Sequence, residues 1–344
     1  MIPFGCDHSL DFDREILHHE DGSCVAIDWF PSKPEKISSS SNDALPSSSS
    51  ANGYKICIFL PCLGGHSDHK FAMNFALTLH SAGYHTAIVT TRGIGVPLRT
   101  SSAWHPAFSD DAYLTLHYIH SLYGHHAKLF FAGFSAGANI VTETLMRNQR
   151  AETSRQIPII GALCVCLVGS YSKTRDELEL TPMGKLYSFL MANKQKDILR
   201  SNEHAFRSIS KAEMDTILWS NTLREFDNAA QKVLFGFETP EELDAAFSCR
   251  KIRDIAVPCM GIQPRDDPLH LNKVRENIPL DYLTQNPHFI YVEPSAGNHF
   301  GFYEGESITE AFTNTTSYTW PAKCALAFWE ALLKDKEIDL LYNR

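Results

Sequence analysis

Ser135 stands in 131-FAGFSAGANIV-141, with a glycine two residues to either side. An apolar run leads into it and helical spacing leads out. A chain turning sharply from strand to helix needs Gly133 and Gly137, because side chains there would hold the two backbones apart. The turn projects the hydroxyl, and the helix N-terminus beyond it favours a developing negative charge. The pattern suits a nucleophile. A hydroxyl needs a base, and the base an orienting acid. Strand-like 255-IAVPCMGIQ-263 runs into 264-PRDDPLH-270, and 288-HFIYVEP-294 into 295-SAGNHFGF-302. Parallel sheets place their sites at the carboxyl ends of strands. Asp267 and His299 therefore sit where an acid and a base are needed. Asp267 is preferred because it directly precedes Pro268; Asp266 is the alternative.

Two backbone N–H donors complete this chemistry by holding the oxyanion. One is assigned to Ala136, the residue after the nucleophile. The other is assigned to Leu63, supported by Gly64, in 61-PCLGGHS-67. Together these groups would transfer an acyl unit through a covalent acyl-serine, a route that requires no metal or organic cofactor. His105 and Asp110 form an H-x4-D pattern, but His8 and Asp13 repeat it elsewhere, so it arises easily by chance. His66 and His69 lack a carboxylate or cysteine set and read as polar loop residues. Arg92 reads as structural, bonding backbone at a strand end.

The elements that must position these residues follow a regular rhythm. Residues 13–30 read as two strands joined at Asp21-Gly22, a hairpin signal. Strands are expected at Lys55–Pro61, His85–Thr91, Ala127–Phe134 and Pro158–Val168. Helices are expected at Phe71–Ala82, Ala112–Tyr123 and Ala138–Arg147. Unbroken apolar strands alternating with amphipathic helices imply a mostly parallel sheet covered on both faces. The rhythm breaks between about Ser170 and Arg250, a polar, helix-like stretch, then resumes with the two late strands and a helix at Trp320–Leu333. Residues 38–50, SSSSNDALPSSSS, read as a disordered surface loop.

Composition narrows the class. The chain has 344 residues, 44% hydrophobic, enough for a large core. A net charge of −9, with basic residues scattered, disfavours nucleic acid. Nine cysteines without a Cys-x-x-Cys pair read as reduced thiols in a cytoplasmic protein. Cys164 and Cys166 alternate in an apolar run and are expected on one face of a strand. The acidic, His-rich start is not a signal peptide, and the run Ile157–Val168 is too short to span a bilayer. The sequon Asn314-Thr315-Thr316 carries little weight without a secretion signal.

At these residues the chain resembles the YheT-like branch of the α/β-hydrolase-domain esterases and lipases, which includes plant embryogenesis-associated hydrolases. The resemblance rests on 14-REILHHEDGSCVAIDW-29, 83-GYHTAIVTTRGIG-95, 133-GFSAGAN-139, 222-TLREFDNAAQKVLFGF-237, 265-RDDP-268 and 297-GNHFGFYEG-305, in that order. It spans nearly the whole chain apart from the Ser-rich loop. It implies an α/β-hydrolase fold and a serine hydrolase using Ser135, Asp267 and His299. It also implies a helical cap at 170–250 over an acyl pocket, between core segments 1–169 and 251–344. Within that cap, Glu225 and Asp227 read as a clasp back to the core.

Three departures from the family's pattern stand out. Pro61-Cys62 replaces the usual His-Gly or Pro-Gly, so a Cβ at Cys62 could crowd the oxyanion loop. Ala138 replaces a glycine, and Leu243-Asp244 replaces an aromatic pair, which bears on pocket shape. The reading is a carboxylic-ester hydrolase with medium-chain, acylglycerol or phospholipid esters as candidate substrates and at most peripheral membrane contact. Its rivals are an acyltransferase on the same nucleophile and a non-catalytic binding module.

Overall fold

A computed structural model of the protein describes residues 11–36, 53–247, 249–269, 285–302 and 319–335. The Ser-rich stretch 38–50, His8, Tyr303-Glu304-Gly305 and the sequon lie outside the described residues.

The chain opens with an antiparallel pair, β1 (Asp13–His18) and β2 (Cys24–Phe30). The turn between them needs a left-handed residue, and Gly22 supplies it at φ 83°. Asp21 Oδ1 accepts the backbone N–H and the hydroxyl of Ser23, fixing the turn. The rhythm then unfolds as β3 (Tyr54–Leu60), α1 (Lys70–Ser81), β4 (Tyr84–Val89), α2 (Asp110–Tyr123), β5 (Ala127–Phe134), α3 (Ala136–Arg150) and β6 (Gly161–Val165). After a helical stretch come β7 (Cys259–Ile262), β8 (Phe289–Val292) and a closing helix, labelled α9 here, at Trp320–Leu332. The strands form one sheet in the order β1-β2-β4-β3-β5-β6-β7-β8, parallel from β4 through β8. This is the doubly covered, mostly parallel α/β sheet that the unbroken apolar strands imply.

Alternation along each strand sends neighbouring residues to opposite faces. Phe131 joins the cluster of Ile56, Ile58, Leu116 and Val141, while Phe130 joins Phe59, Phe75, Leu79 and Trp329 on the other face. Cys164 and Cys166 do not share a face as expected. Cys164 packs with the first cluster and Cys166 with the second. The cause is a left-handed backbone at Cys166, φ 54°, which breaks the two-residue period and ends β6 before the expected Val168.

Between β6 and β7 the described chain forms α4 (Tyr171–Leu178), α5 (Pro182–Ser201), α6 (Lys211–Leu218), α7 (Leu223–Val233) and α8 (Pro240–Phe247). Their starts carry explicit caps: Ser170, Thr181, Ser210 and Thr222 each accept a backbone N–H three residues on. Asn139 of α3 joins this stretch to the sheet. Its amide donates to the carbonyls of Val168 and Phe247, both at 2.8 Å, and accepts the Val168 N–H at 3.1 Å. Leu243 is fully buried in the cluster that contains Phe131 and Val141, and Asp244 accepts the Ser172 N–H, tying α8 to α4.

The clasp expected from Glu225 and Asp227 to the core is not formed. Glu225 accepts the N–H of Asn221 at the start of its own helix. Asp227, fully buried, joins α7 to α4 by accepting from Tyr171 Oη at 2.7 Å and Arg175 at 3.3 Å. Burial pushes its carboxyl up to about 6 against the pull of Arg175 and Tyr171.

Removing one member of a buried ion pair strands the other. Asp227→Ala is therefore expected to cost roughly 3–5 kcal/mol in urea unfolding. Because the folded-state value is raised, protonation favours the folded chain between about pH 6 and the ordinary carboxylate value near 4. The stability of the parent chain relative to Asp227→Asn should rise as pH falls through that window. A difference that stays flat with pH would contradict the assignment.

Candidate active site

β5 ends at Phe134 and α3 begins at Ala136, leaving Ser135 alone to make the turn. It does so at φ 54°, ψ −124°, a region that L-residues rarely occupy. The bonds that hold it there are Ser135 N–H to the Val165 carbonyl, 2.8 Å, and Ala138 N–H to the Ser135 carbonyl, 2.9 Å. The glycines expected at this turn are required by contact. A Cβ on Gly133 would lie 2.4 Å from the Gly137 carbonyl oxygen, and one on Gly137 would lie 2.1 Å from that of Leu60.

The sheet brings three of the expected residues into one line. Ser135 Oγ and His299 Nε2 are 2.9 Å apart, and His299 Nδ1 lies 2.8 Å from Asp267 Oδ2. With Nδ1–H donating to the carboxylate, Nε2 is left to accept from the serine hydroxyl. All three side chains are buried. Asp267 also accepts from Gln263 Nε2 at 3.0 Å and from the Leu269 N–H at 2.9 Å. Asp266 does a different job: its carboxylate accepts the Asn298 N–H at 2.8 Å and so pins the loop that carries His299. Asn298 makes that loop's turn at φ 53° and accepts the His299 N–H at 2.7 Å. Phe300 stacks on Phe71, with ring centroids 5.0 Å apart.

The loop after β3 lies against the first turn of α3. It closes with Gly65 N–H to the Cys62 carbonyl at 2.8 Å. Two core contacts hold it: Thr91 N–H donates to the Gly65 carbonyl, and Ser67 Oγ to buried Asp28. Asp28 in turn takes both Arg14 N–H groups and the Thr90 hydroxyl. Among the described residues, no protein acceptor meets the backbone N–H of Leu63 or of Ala136. Cys62 packs its side chain against the cluster of Phe59, Phe71 and Phe134, and burial pushes its thiol up to about 12.

The weaker candidates find other partners. Asp110 pairs with Arg147, while His105 is enclosed by Phe108, Phe235 and Phe237, and burial drops its imidazole to about 4. The two do not form a catalytic pair. The rings of His66 and His69 meet at 4.2 Å, tilted by 56°, and burial takes His69 to about 4. Arg92 makes its main bonds to a side chain rather than to backbone, gripping both carboxylate oxygens of Asp111. Among the described residues, Cys166, Asp267 and His299 form a cluster that could ligate a metal. An ion there would compete for the Asp267 carboxylate and the His299 imidazole that now bond each other.

Gln263, Asn298, Asn139 and Cys166 escape sequence reasoning. Asn139 had a signal, an amide between apolar neighbours on a buried helix. The Cys166 thiol donates to the His299 carbonyl at 3.0 Å, and nothing in its neighbours announces that contact.

A strand–elbow–helix serine facing a histidine after the last strand of this mostly parallel sheet is the arrangement of the α/β-hydrolase fold, and the curated relatives of the chain are α/β-hydrolase-domain proteins. Its similarities are more particular than that. It is 24% identical over 302 residues to phospholipase ABHD3 of Homo sapiens, covering 86% of this chain and 68% of that protein. It is 24% identical to embryogenesis-associated protein EMB8 of Picea glauca, covering 85% of this chain and 62% of the relative. Monoacylglycerol lipase ABHD2 of Mus musculus matches at 24% over 72% of this chain and 60% of its own length. No family model matches the chain. Solved structures support the fold: esterase Est22 (TM-score 0.52, 14% identity, 94% of this chain and 81% of that one) and the Pyrococcus furiosus esterase Pf2001 (0.51, 12%, 94% and 92%).

The Gly137 contact gives a direct test. Gly137→Ala must push β3 and α3 apart, so soluble protein should fall sharply or lose the Ser135 geometry. Near-UV circular dichroism, with reactivity toward a serine-directed phosphonate, would read both; an unchanged variant would refute the contact.

Proposed function

We propose that this chain hydrolyses carboxylic esters through an acyl-enzyme, with Ser135 as nucleophile, His299 as base and Asp267 as orienting acid. The observation that carries the reading is the Asp267–His299–Ser135 line, 2.8 and 2.9 Å. His299 takes the proton of Ser135 as its Oγ attacks the ester carbonyl. Asp267 holds the imidazole and stabilises its charged form. The oxyanion rests on the N–H groups of Leu63 and Ala136, and their lack of acceptors among the described residues supports the assignment. His299 then gives its proton to the leaving alcohol and activates water on the acyl-serine.

Acylglycerol and phospholipid esters are the proposed substrates, supported by similarity to a phospholipase and a monoacylglycerol lipase. Residues 170–250 are proposed as the cap over the acyl pocket, supported by α4–α8 and by the anchoring of both their ends on the nucleophile helix through Asn139. No helix of the described residues is long and apolar enough to cross a membrane. A reducing, cytoplasmic setting is proposed for the thiols, of which Cys164 and Cys259 approach to 3.8 Å as free cysteines.

Purified protein should label with a fluorophosphonate and turn over p-nitrophenyl esters, and Ser135→Ala should abolish both. Folded protein that does not label would overturn the reading in favour of a binding role. Acyl transfer to an added alcohol that outpaces hydrolysis would favour the transferase. Asp267→Asn should lower kcat by on the order of 10^4, since the imidazole loses its orientation and charge partner. Asp266→Asn should have a far smaller effect; equal losses would sink the distinction between the two.

A further inference from the structure

We propose that the outward face of α5 docks the enzyme on a phospholipid surface, an inference that rests on the lipid-ester reading above. The polarity of α5 is inverted over its first turns, before Ile198 and Leu199 are buried at its far end. A surface helix normally turns its large apolar side chains inward. Here the inward face carries Gly184, Ser188, Ala192 and Gln195, all buried. Packing enforces that choice: a Cβ on Gly184 would sit 2.3 Å from the Leu178 carbonyl oxygen. Ser188 Oγ donates to Glu179 at 3.0 Å and accepts the Leu223 N–H at 2.9 Å. The outward face of the first turns carries Met183, Leu186, Phe189 and Leu190, with relative exposures of 54%, 48%, 43% and 39%. Leu180, just before the helix, is 75% exposed. Five of the nine exposed large hydrophobic side chains among the described residues thus fall between positions 180 and 190. Trp219, 80% exposed, follows α6, and its neighbour Ser220 is tied to α5 by Lys196 Nζ at 2.6 Å.

A concentrated apolar patch marks an interaction face, and charge selects its occupant. Lys185 lies within the apolar stretch and Lys194 further along the helix, both exposed. Neither has a carboxylate within ion-pair distance among the described residues. Apolar side chains flanked by long cations suit lipid phosphates, with the ammonium groups reaching the headgroups. A two-fold pairing of chains through this face would instead bring like charges together. The face is also continuous with the site. The Lys194 stem lies on Gly64, where an added Cβ would be 2.5 Å from Lys194 Cε, next to the proposed oxyanion donor Leu63. An ester leaving the surface would meet the loop that must bind its carbonyl.

Vesicle sedimentation of the full chain tests this. Ser135→Ala serves as the binding protein, so adhesion is read without turnover and its failure is separate from failure of the ester reading. It should bind phosphatidylcholine vesicles, and bind more tightly when phosphatidylglycerol is included. Adding Leu186→Ser and Leu190→Ser should lower the bound fraction about tenfold. In the otherwise intact chain the same pair should leave p-nitrophenyl butyrate turnover unchanged, which also establishes folding. Lys185→Gln with Lys194→Gln should remove the preference for the anionic lipid. No adhesion to either vesicle, or adhesion indifferent to the leucine pair, would overturn the proposal. So would a dimer in light scattering that the leucine pair dissociates, which would assign the face to a second copy.

Discussion

The backbone of Gly137 rests against the carbonyls of Leu60 and Pro61, closer than any side chain allows. That approach, with the matching one between Gly133 and Gly137, sets the distance between β3, β5 and α3. From it follow the sharp turn at Ser135, the left-handed serine backbone and the placing of the 61–67 loop beside the nucleophile. The strain in the turn is held by hydrogen bonds to the neighbouring strand and the first helical turn. A site assembled from loops after four different strands keeps its registration because the strands beneath it cannot slide.

Around that contact, polar groups act mainly as loop anchors. Buried Asp28 holds the 61–67 loop through Ser67, and exposed Asp266 holds the histidine loop through Asn298. Arg92 and Asp111 fix the segment after β4 against α2. Asp28, Arg92 and Asp111 are buried and find their partners inside the protein, as low-dielectric surroundings demand. The adjacent aspartates 266 and 267 show how finely this is divided. One bonds backbone and sets a loop's path, and the other faces an imidazole.

The alternation of strands and helices, the elbow and the histidine were legible because they depend on local rules: apolar runs, small residues at a crowded turn, a polar loop after a late strand. The choice between Asp266 and Asp267 was only inclined by Pro268, since it turns on which carboxylate the β7 loop rotates toward His299. The face of Cys166 was misread because one positive φ overrides the two-residue period, and nothing in the neighbouring residues signals it. Asp227 was read as a clasp to the core, and it joins α7 to α4 instead, because sequence does not give the helix that supplies a buried counter-charge. The exposed apolar face of α5 was invisible for a related reason. Its spacing matches that of a buried face, and only the packing of Gly184 and Ser188 reveals which side faces inward.

Asn139 holds the carbonyls of Val168 and Phe247 with a single amide nitrogen. The chain therefore departs from the sheet and returns to it at one point, immediately behind the nucleophile's helix. Topologically, everything between those carbonyls is a side branch. Its two stems are already side by side, so closing it carries almost no dependence on how long the branch is. Such an attachment lets the branch be exchanged, shortened or enlarged without moving β5, β6 or the elbow. The branch and the turn at Ser135 can then change separately, with one asparagine marking the boundary between them.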